Sequence, residues 1–101
     1  SATDGVPVAL PALQRAARLQ QKANEPAPSW QEVDAVYHRF RSMTKPAEGE
    51  SAAESTRLHQ SVGELLFLLV AMSRAMAINA EDALREFCER FQLEFSSSAP
   101  R

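Results

Sequence analysis

Apolar positions along the chain recur with a period near 3.6 rather than 2. Val33, Val36, Tyr37 and Phe40 fall at i, i+3, i+4 and i+7, and Ala83, Leu84, Phe87, Cys88, Phe91 and Phe95 form a longer stripe of the same kind. Such spacing is the signature of amphipathic helices. Leu10, Leu13, Ala17 and Leu19 trace a shorter stripe near the start. Leu65-Leu66-Phe67-Leu68-Leu69-Val70-Ala71-Met72 breaks the pattern by being apolar all round, and a helix of that kind needs cover on every side. No segment alternates with period 2, so the pattern predicts an all-α fold.

Helix starts are marked clearly. Ser29-Trp30-Gln31-Glu32 and Ser51-Ala52-Ala53-Glu54 both carry the capping-box spacing, in which the serine hydroxyl accepts from the N3 amide and the glutamate reaches back to the cap amide. Asn79-Ala80-Glu81-Asp82 places a cap before two acids, where the helix dipole favours negative charge. Leu10-Pro11 is a fourth start, because proline is tolerated at the first helical position. The predicted helices run from Pro11 to Ala23, from the Ser29 cap to no further than Lys45, from Ala52 to Ala77, and from Asn79 to Phe95. The domain reading is an entry segment over 1–9, a four-helix domain over 10–95 and a frayed tail over 96–101.

Three shorter helices leave part of the long third helix uncovered, and a leucine-rich strip of that size marks an association surface. The expectation is a homodimer, set ahead of a self-contained four-helix bundle, with Leu65, Leu66, Phe67, Leu69 and Val70 of the third helix and Phe87 and Phe91 of the fourth in the core or the shared face. Gly63 costs about 1 kcal/mol relative to alanine inside a helix, which predicts close approach of a neighbouring helix there.

Composition narrows the function classes. The net charge is −2, with six basic against six acidic residues in 1–50 and five against seven in 51–101. No basic face follows from that balance, so nucleic acid is not expected as a partner. The single cysteine, Cys88, excludes an internal disulfide and a cysteine-based zinc cage. The apolar run ends far short of the ~20 residues that cross a bilayer. Ser1-Ala2-Thr3-Asp4-Gly5 lacks the basic and apolar regions of a signal peptide, so a cytoplasmic setting without membrane contact is expected. His38 and His59 fall on different helices without ligand spacing, and Cys88 reads as a small hydrophobe with no activating base in reach.

Two stretches carry a family resemblance. Val62-Gly63-Glu64-Leu65-Leu66-Phe67-Leu68-Leu69-Val70, followed by Ile78-Asn79-Ala80-Glu81-Asp82-Ala83-Leu84-Arg85, resembles the MazG-type nucleoside triphosphate pyrophosphohydrolases. Their corresponding text is roughly E-E-L-G-D-L-L-F, then G-V-D-x-E-x-A-L leading to N-x-K-F-x-x-R-F. Gly5-Val6-Pro7, Leu10 to Ala16, Leu19 to Ala23 and Trp30 are similar to the segment that opens the second half of two-repeat MazG proteins. The likeness spans about residues 5 to 95. It implies a dimeric all-α MazG-like bundle, the carboxy-terminal half of a longer protein. It also implies a family reaction in which a nucleoside triphosphate (NTP) and water give the monophosphate and diphosphate with the help of Mg²⁺.

The family's metal ligands, E-x-x-E on one helix and E-x-x-D on the next, place oxygen donors at i and i+3 on one helical face. Aligned on Gly63, the second acidic word falls on Gln60-Ser61-Val62-Gly63-Glu64, and only Glu64 stays acidic. The first word is expected between about residues 41 and 46, where Arg41-Ser42-Met43-Thr44-Lys45-Pro46 holds no carboxylate. The family's Asn and Lys fall on Cys88 and Arg90. Glu64 is therefore a residual metal ligand at most, and Arg90, Arg41 and Lys45 are the candidates for meeting phosphates. The reading is a degenerate MazG-like domain, impaired in catalysis, that dimerises and scaffolds, with an intact catalytic MazG half on the same polypeptide as a possible partner and Mg²⁺ not held in the family manner. Two alternatives stand beside it: an active enzyme with a rearranged site around Glu64 with Glu48, Glu50 or Glu54, and a module that binds NTP without cleaving it.

Overall fold

A computed structural model of the chain describes residues 4–43 and 52–98. They form four helices, α1 (Ala12–Ala23), α2 (Trp30–Ser42), α3 (Ala52–Ala75) and α4 (Ala80–Ser98), and the described residues contain no strand. The all-α reading holds. α4 runs through Ser96 and Ser97 to Ser98, past the Phe95 limit expected from sequence, while α3 stops at Ala75 rather than Ala77. The Ser51 cap, Lys45, Pro46, Glu48 and Glu50 lie outside the described residues.

Local chemistry accounts for most of the boundaries. Ser29 caps α2 with a complete box: the Glu32 amide donates to Ser29 Oγ at 3.1 Å and the Ser29 amide donates to Glu32 Oε1 at 3.3 Å. Asn79 Oδ1 accepts from the Asp82 amide at 3.0 Å at the start of α4. Pro11 gives α1 no side-chain cap, and the Gln14 amide in that first turn instead donates to Glu81 Oε1 at 3.4 Å, 67 residues away on α4. One of the four amides that every helix start leaves orphaned is thus served by a carboxylate from another helix. Glu81, which the sequence offers as an acid of the first turn of the fourth helix, is half-buried and turned towards α1.

Between α3 and α4 the chain makes a Schellman turn. The Ile78 amide donates to the Ser73 carbonyl at 2.8 Å and the Ala77 amide to the Arg74 carbonyl at 3.0 Å, the paired bonds that define the motif. Ala77 sits at φ +58°, where glycine is the usual occupant because a Cβ is strained there. The family word G-V-D, laid on Ile78-Asn79, puts its glycine at this residue. The turn sends α4 away from α3 at 105°.

α3 is the axis of the molecule. α2 packs on α3 alone, and α4 reaches only α1 and α3. The buried apolar residues are Val33 and Val36 of α2 and Val70, Ala71 and Met72 of α3. Gln20, 1% exposed, is buried more completely than any of them. Its Nε2 donates to the Phe67 carbonyl at 2.9 Å, and its Oε1 accepts from Arg74 Nη1 at 3.5 Å, so the amide is satisfied on both ends as burial requires. The stripe of Leu10, Leu13, Ala17 and Leu19 is only half-buried beside it.

Much of the predicted core stays at the surface of the single chain. Val70 is buried and Leu65 half-buried, but Leu66, Phe67, Leu69, Phe87 and Phe91 are exposed, as are Tyr37 and Cys88. Of the α4 residues up to Ser97, only Ala80 and Glu81, at its start, are less than exposed. The close approach expected at Gly63 is not made: a Cβ there would meet nothing within 4 Å. Gly63 instead opens onto an apolar groove of about 290 Å³ between α1 and α3, lined in part by Ala16, Leu19, Leu66 and Phe67. The helices form with the right faces, but one chain does not supply enough surface to cover them.

Replacing Gln20 by alanine removes both bonds and leaves a void, and should lower the free energy of unfolding by about 1–3 kcal/mol. Ala77→Gly relieves the left-handed strain at the cost of unfolded-chain entropy, for a net gain of about 0.5–1 kcal/mol. Urea unfolding at one fixed protein concentration checks both, since association shifts apparent stability.

Candidate functional site

The face of α3 that carries Arg57, Gln60, Ser61 and Glu64 has the i, i+3, i+4, i+7 spacing of one helical side. Across from it stand Arg39 and Met43, one turn apart at the end of α2. Together these six residues line a cleft of about 190 Å³. The segment that aligns with the family's E-E-x-x-D word therefore does face α2 across a cleft, in the relation that a shared ligand site needs.

Arg39 Nη1 lies 3.5 Å from Glu64 Oε1, with the two side chains 55% and 49% exposed. A pair this open to water contributes little to stability, of the order of 0–1 kcal/mol. Its importance is chemical, because the one carboxylate of the cleft is already committed to a cation of the protein itself. Arg57 pairs with no carboxylate among the described residues and adds a second guanidinium. Ser61 is 5% exposed, and its buried Oγ finds no hydrogen-bond partner among the described residues.

These residues do not fit Mg²⁺. That ion takes oxygen ligands in a near-octahedral shell and is ordinarily held by more than one carboxylate or by a carboxylate with substrate phosphates. Here one carboxylate, one amide and one hydroxyl stand among two guanidiniums. Elsewhere too, no group of three His, Cys, Asp or Glu side chains among the described residues is placed to hold a metal. His38 and His59 are exposed on separate helices.

Of the three cations singled out from sequence, Arg41 and Arg90 are not brought together. Arg41 is exposed on α2 and does not line the cleft. Arg90 belongs to α4, which does not touch α2, and its guanidinium lies 5.4 Å over the Phe87 ring, a cation–π distance. Lys45 lies outside the described residues. The cleft uses Arg39 and Arg57 instead. For Arg39 a signal was present: it follows the core residue Val36 by three positions and so shares its side of α2, upstream of the 41–46 window. Ser61 carried a signal only through alignment with an acidic position.

Two other regions are polar. A larger cavity, about 440 Å³, lies between α1, α3 and the start of α4, with Gln14, Arg18, Gln21, Arg74, Asn79 and Glu81 among its lining; Glu81 and Arg74 there are engaged in the contacts described above. On the outer face of α4, Arg85 hydrogen-bonds Asp82 and Glu89, each at 3.3 Å. These bonds, Asp82 first, hold its guanidinium above the usual arginine range.

Among proteins of known name, the chain is 31% identical over 99 residues to a nucleoside triphosphate pyrophosphohydrolase of Escherichia coli, an alignment covering 94% of this chain and 37% of that protein. It is 33% identical over 87 residues to the nucleoside triphosphate pyrophosphohydrolase/pyrophosphatase MazG of Thermotoga maritima, covering 82% of this chain and 33% of the relative. No family profile matches the chain, and no solved structure matches it. The chain spans just over a third of the length of the first relative and a third of the second. With nearly the whole chain aligned and four helices in place, its resemblance to the MazG-type nucleoside triphosphate pyrophosphohydrolases, first carried by the Gly63–Val70 and Ile78–Arg85 stretches, is borne out.

Proposed function

We propose that this chain is a degenerate MazG-like domain, impaired in the family's hydrolysis of nucleoside triphosphate to monophosphate and diphosphate, whose role is dimerisation and scaffolding beside an intact catalytic half of the same polypeptide. The observation that carries the first part is the Arg39–Glu64 pair. Where the family word calls for acids converging on a divalent cation, a guanidinium of α2 meets the one remaining carboxylate of α3. A rearranged site that joins Glu64 to Glu54 is disfavoured by distance: the two are ten residues apart on one helix, about 15 Å at the rise of an α-helix, too far to share an ion; Glu48 and Glu50 lie outside the described residues.

The scaffolding part rests on exposed apolar surface. Leu66, Phe67 and Leu69 on α3 are 40–47% exposed, and Leu84, Phe87, Phe91, Leu93 and Phe95 on α4 are 50–69% exposed. The radius of gyration is 16.8 Å, against about 13 Å for a compact domain of 100 residues. A second copy covers such surface with the same residues it needs covered itself, which is the economy of a two-fold interface.

The isolated domain, given Mg²⁺ and a panel of nucleoside triphosphates, should release no diphosphate above a buffer blank. Turnover that disappears in Glu64→Gln would overturn the impairment reading. In sedimentation, the domain should run at twice its monomer mass, and Leu66→Asp or Phe91→Asp should yield monomers that keep their helical circular dichroism. A wild-type domain that is monomeric at high micromolar concentration removes the dimer from this proposal.

A further inference from the structure

We propose that the apolar groove between α1 and α3 of one chain receives α4 of a second copy, so that the two chains exchange this helix reciprocally. The proposal rests on the dimer proposed above and adds which two surfaces meet. Charge in this protein is segregated by helix. α1 carries Arg15, Arg18 and Lys22 and no acid, whereas α4 carries five carboxylates against Arg85 and Arg90. α2 and α3 each hold two acids and two arginines and balance, with His38 and His59 taken as neutral. One helix is thus strongly basic and another strongly acidic. Within one chain the two scarcely meet. α4 departs from α3 at 105° and touches α1 through the Gln14–Glu81 contact at its start. Arg15, Arg18 and Lys22 pair with no carboxylate among the described residues.

Groove and helix also fit in length and character. The walls of the groove are residues 12–19 of α1 and 63–70 of α3, and no residue of α4 lines it. Each wall is about 10 Å long at the α-helical rise, as is the 84–91 stretch of α4. The lining is apolar except for Arg15, and Lys22, seven positions on, continues the same side of α1. On α4, Leu84, Phe87 and Phe91 form an exposed stripe. Glu86, Arg90 and Glu94 recur at i, i+4 and i+8 along one edge of it, with Arg90 drawn over the Phe87 ring. Seating the stripe in the groove sets this edge beside Arg15 and Lys22. Gly63, where a Cβ would meet nothing within 4 Å, leaves room for an aromatic ring.

Area and charge both favour a second copy as the occupant. The accessible surface is 7912 Å², against about 5,700 Å² for a compact chain of this mass. The excess is larger than the roughly 800 Å² per partner of a stable interface. A two-fold axis places each α4 in the other chain's groove at once, so both contacts form together. Packing α4 against α4 would instead oppose two acidic helices, and like charges so placed select against that arrangement.

The test is sedimentation equilibrium on two variants of the chain, checked for helix content by circular dichroism. One is Arg15→Glu with Lys22→Glu, on the groove; the other is Glu86→Lys with Glu94→Lys, on α4. Each alone should self-associate at least about tenfold more weakly than wild type, because both contacts of its dimer then bring like charges together. An equimolar mixture should dimerise at close to wild-type strength, since every groove there meets an α4 of opposite charge. Gly63→Phe, for which the single chain has room, should plug the groove and weaken association by a similar factor. If a charge variant loses its helical signal, Gly63→Phe decides alone. A groove variant that dimerises like wild type, a mixture no tighter than its components, or undiminished association of Gly63→Phe overturns the exchange and leaves the dimer standing. A wild-type chain that stays monomeric at high micromolar concentration overturns both.

Discussion

The long helix α3 has more apolar surface than its three neighbours can hide, and the rest of the molecule is arranged around that shortage. Its carboxy-terminal half takes α1 across the Gln20–Phe67 bond and contributes Val70, Ala71 and Met72 to the core, yet Leu66, Phe67 and Leu69 still face outward. α4 offers no remedy within the chain, because the turn at Ala77 directs it away at 105° and only its first residues meet α1. Burial of such surface drives both folding and association, and the surface left open in one chain is what the proposed dimer would cover.

The amino-terminal half of α3 has a different task. Arg57, Gln60, Ser61 and Glu64 give it a polar side, and with Arg39 and Met43 of α2 they wall a small cleft. The family word that this stretch resembles is acidic; here the cleft's charges are two guanidiniums and one carboxylate. Electrostatically, Arg39 occupies the role that an external divalent cation would have, at half the charge and without a vacant coordination position for water or substrate. The Arg39–Glu64 pair keeps the neighbouring helices attracted to each other, and it is the observation on which the proposed impairment rests. Apolar packing and the polar cleft are carried by different halves of this one helix.

Fold legibility was high where the signals were local. The Ser29–Glu32 box, the Asn79 cap and the stripe of Val33 and Val36 are each decided by residues within a turn or two, and the structure forms them as the spacing requires. What the sequence could not show was the answer to questions between elements. Nothing near Pro11 indicates that Glu81 would serve the first turn of α1. A glutamine in a polar run, Gln20, reads as surface until the Phe67 carbonyl and Arg74 are known to converge on it. Gly63 was expected beneath a neighbouring helix, and its lack of a Cβ instead deepens an open groove. The candidate site was half legible: alignment found Glu64 and the missing acids, but placed the α2 contribution a few residues too late, because Arg41 and Arg39 differ only in which side of the helix they occupy.

The Schellman turn also makes α4 a lever. Nineteen residues from Ala80 to Ser98 extend about 28 Å at the α-helical rise, pivoting at a four-residue link and braced only by the half-buried Ala80 and Glu81. A swing of about 10° at the pivot carries the far end through roughly 5 Å by that same geometry, nearly the spacing between successive turns. Where the tip carrying Phe91 and Phe95 comes to rest is thus governed less by its own foundation than by whatever surface it leans against.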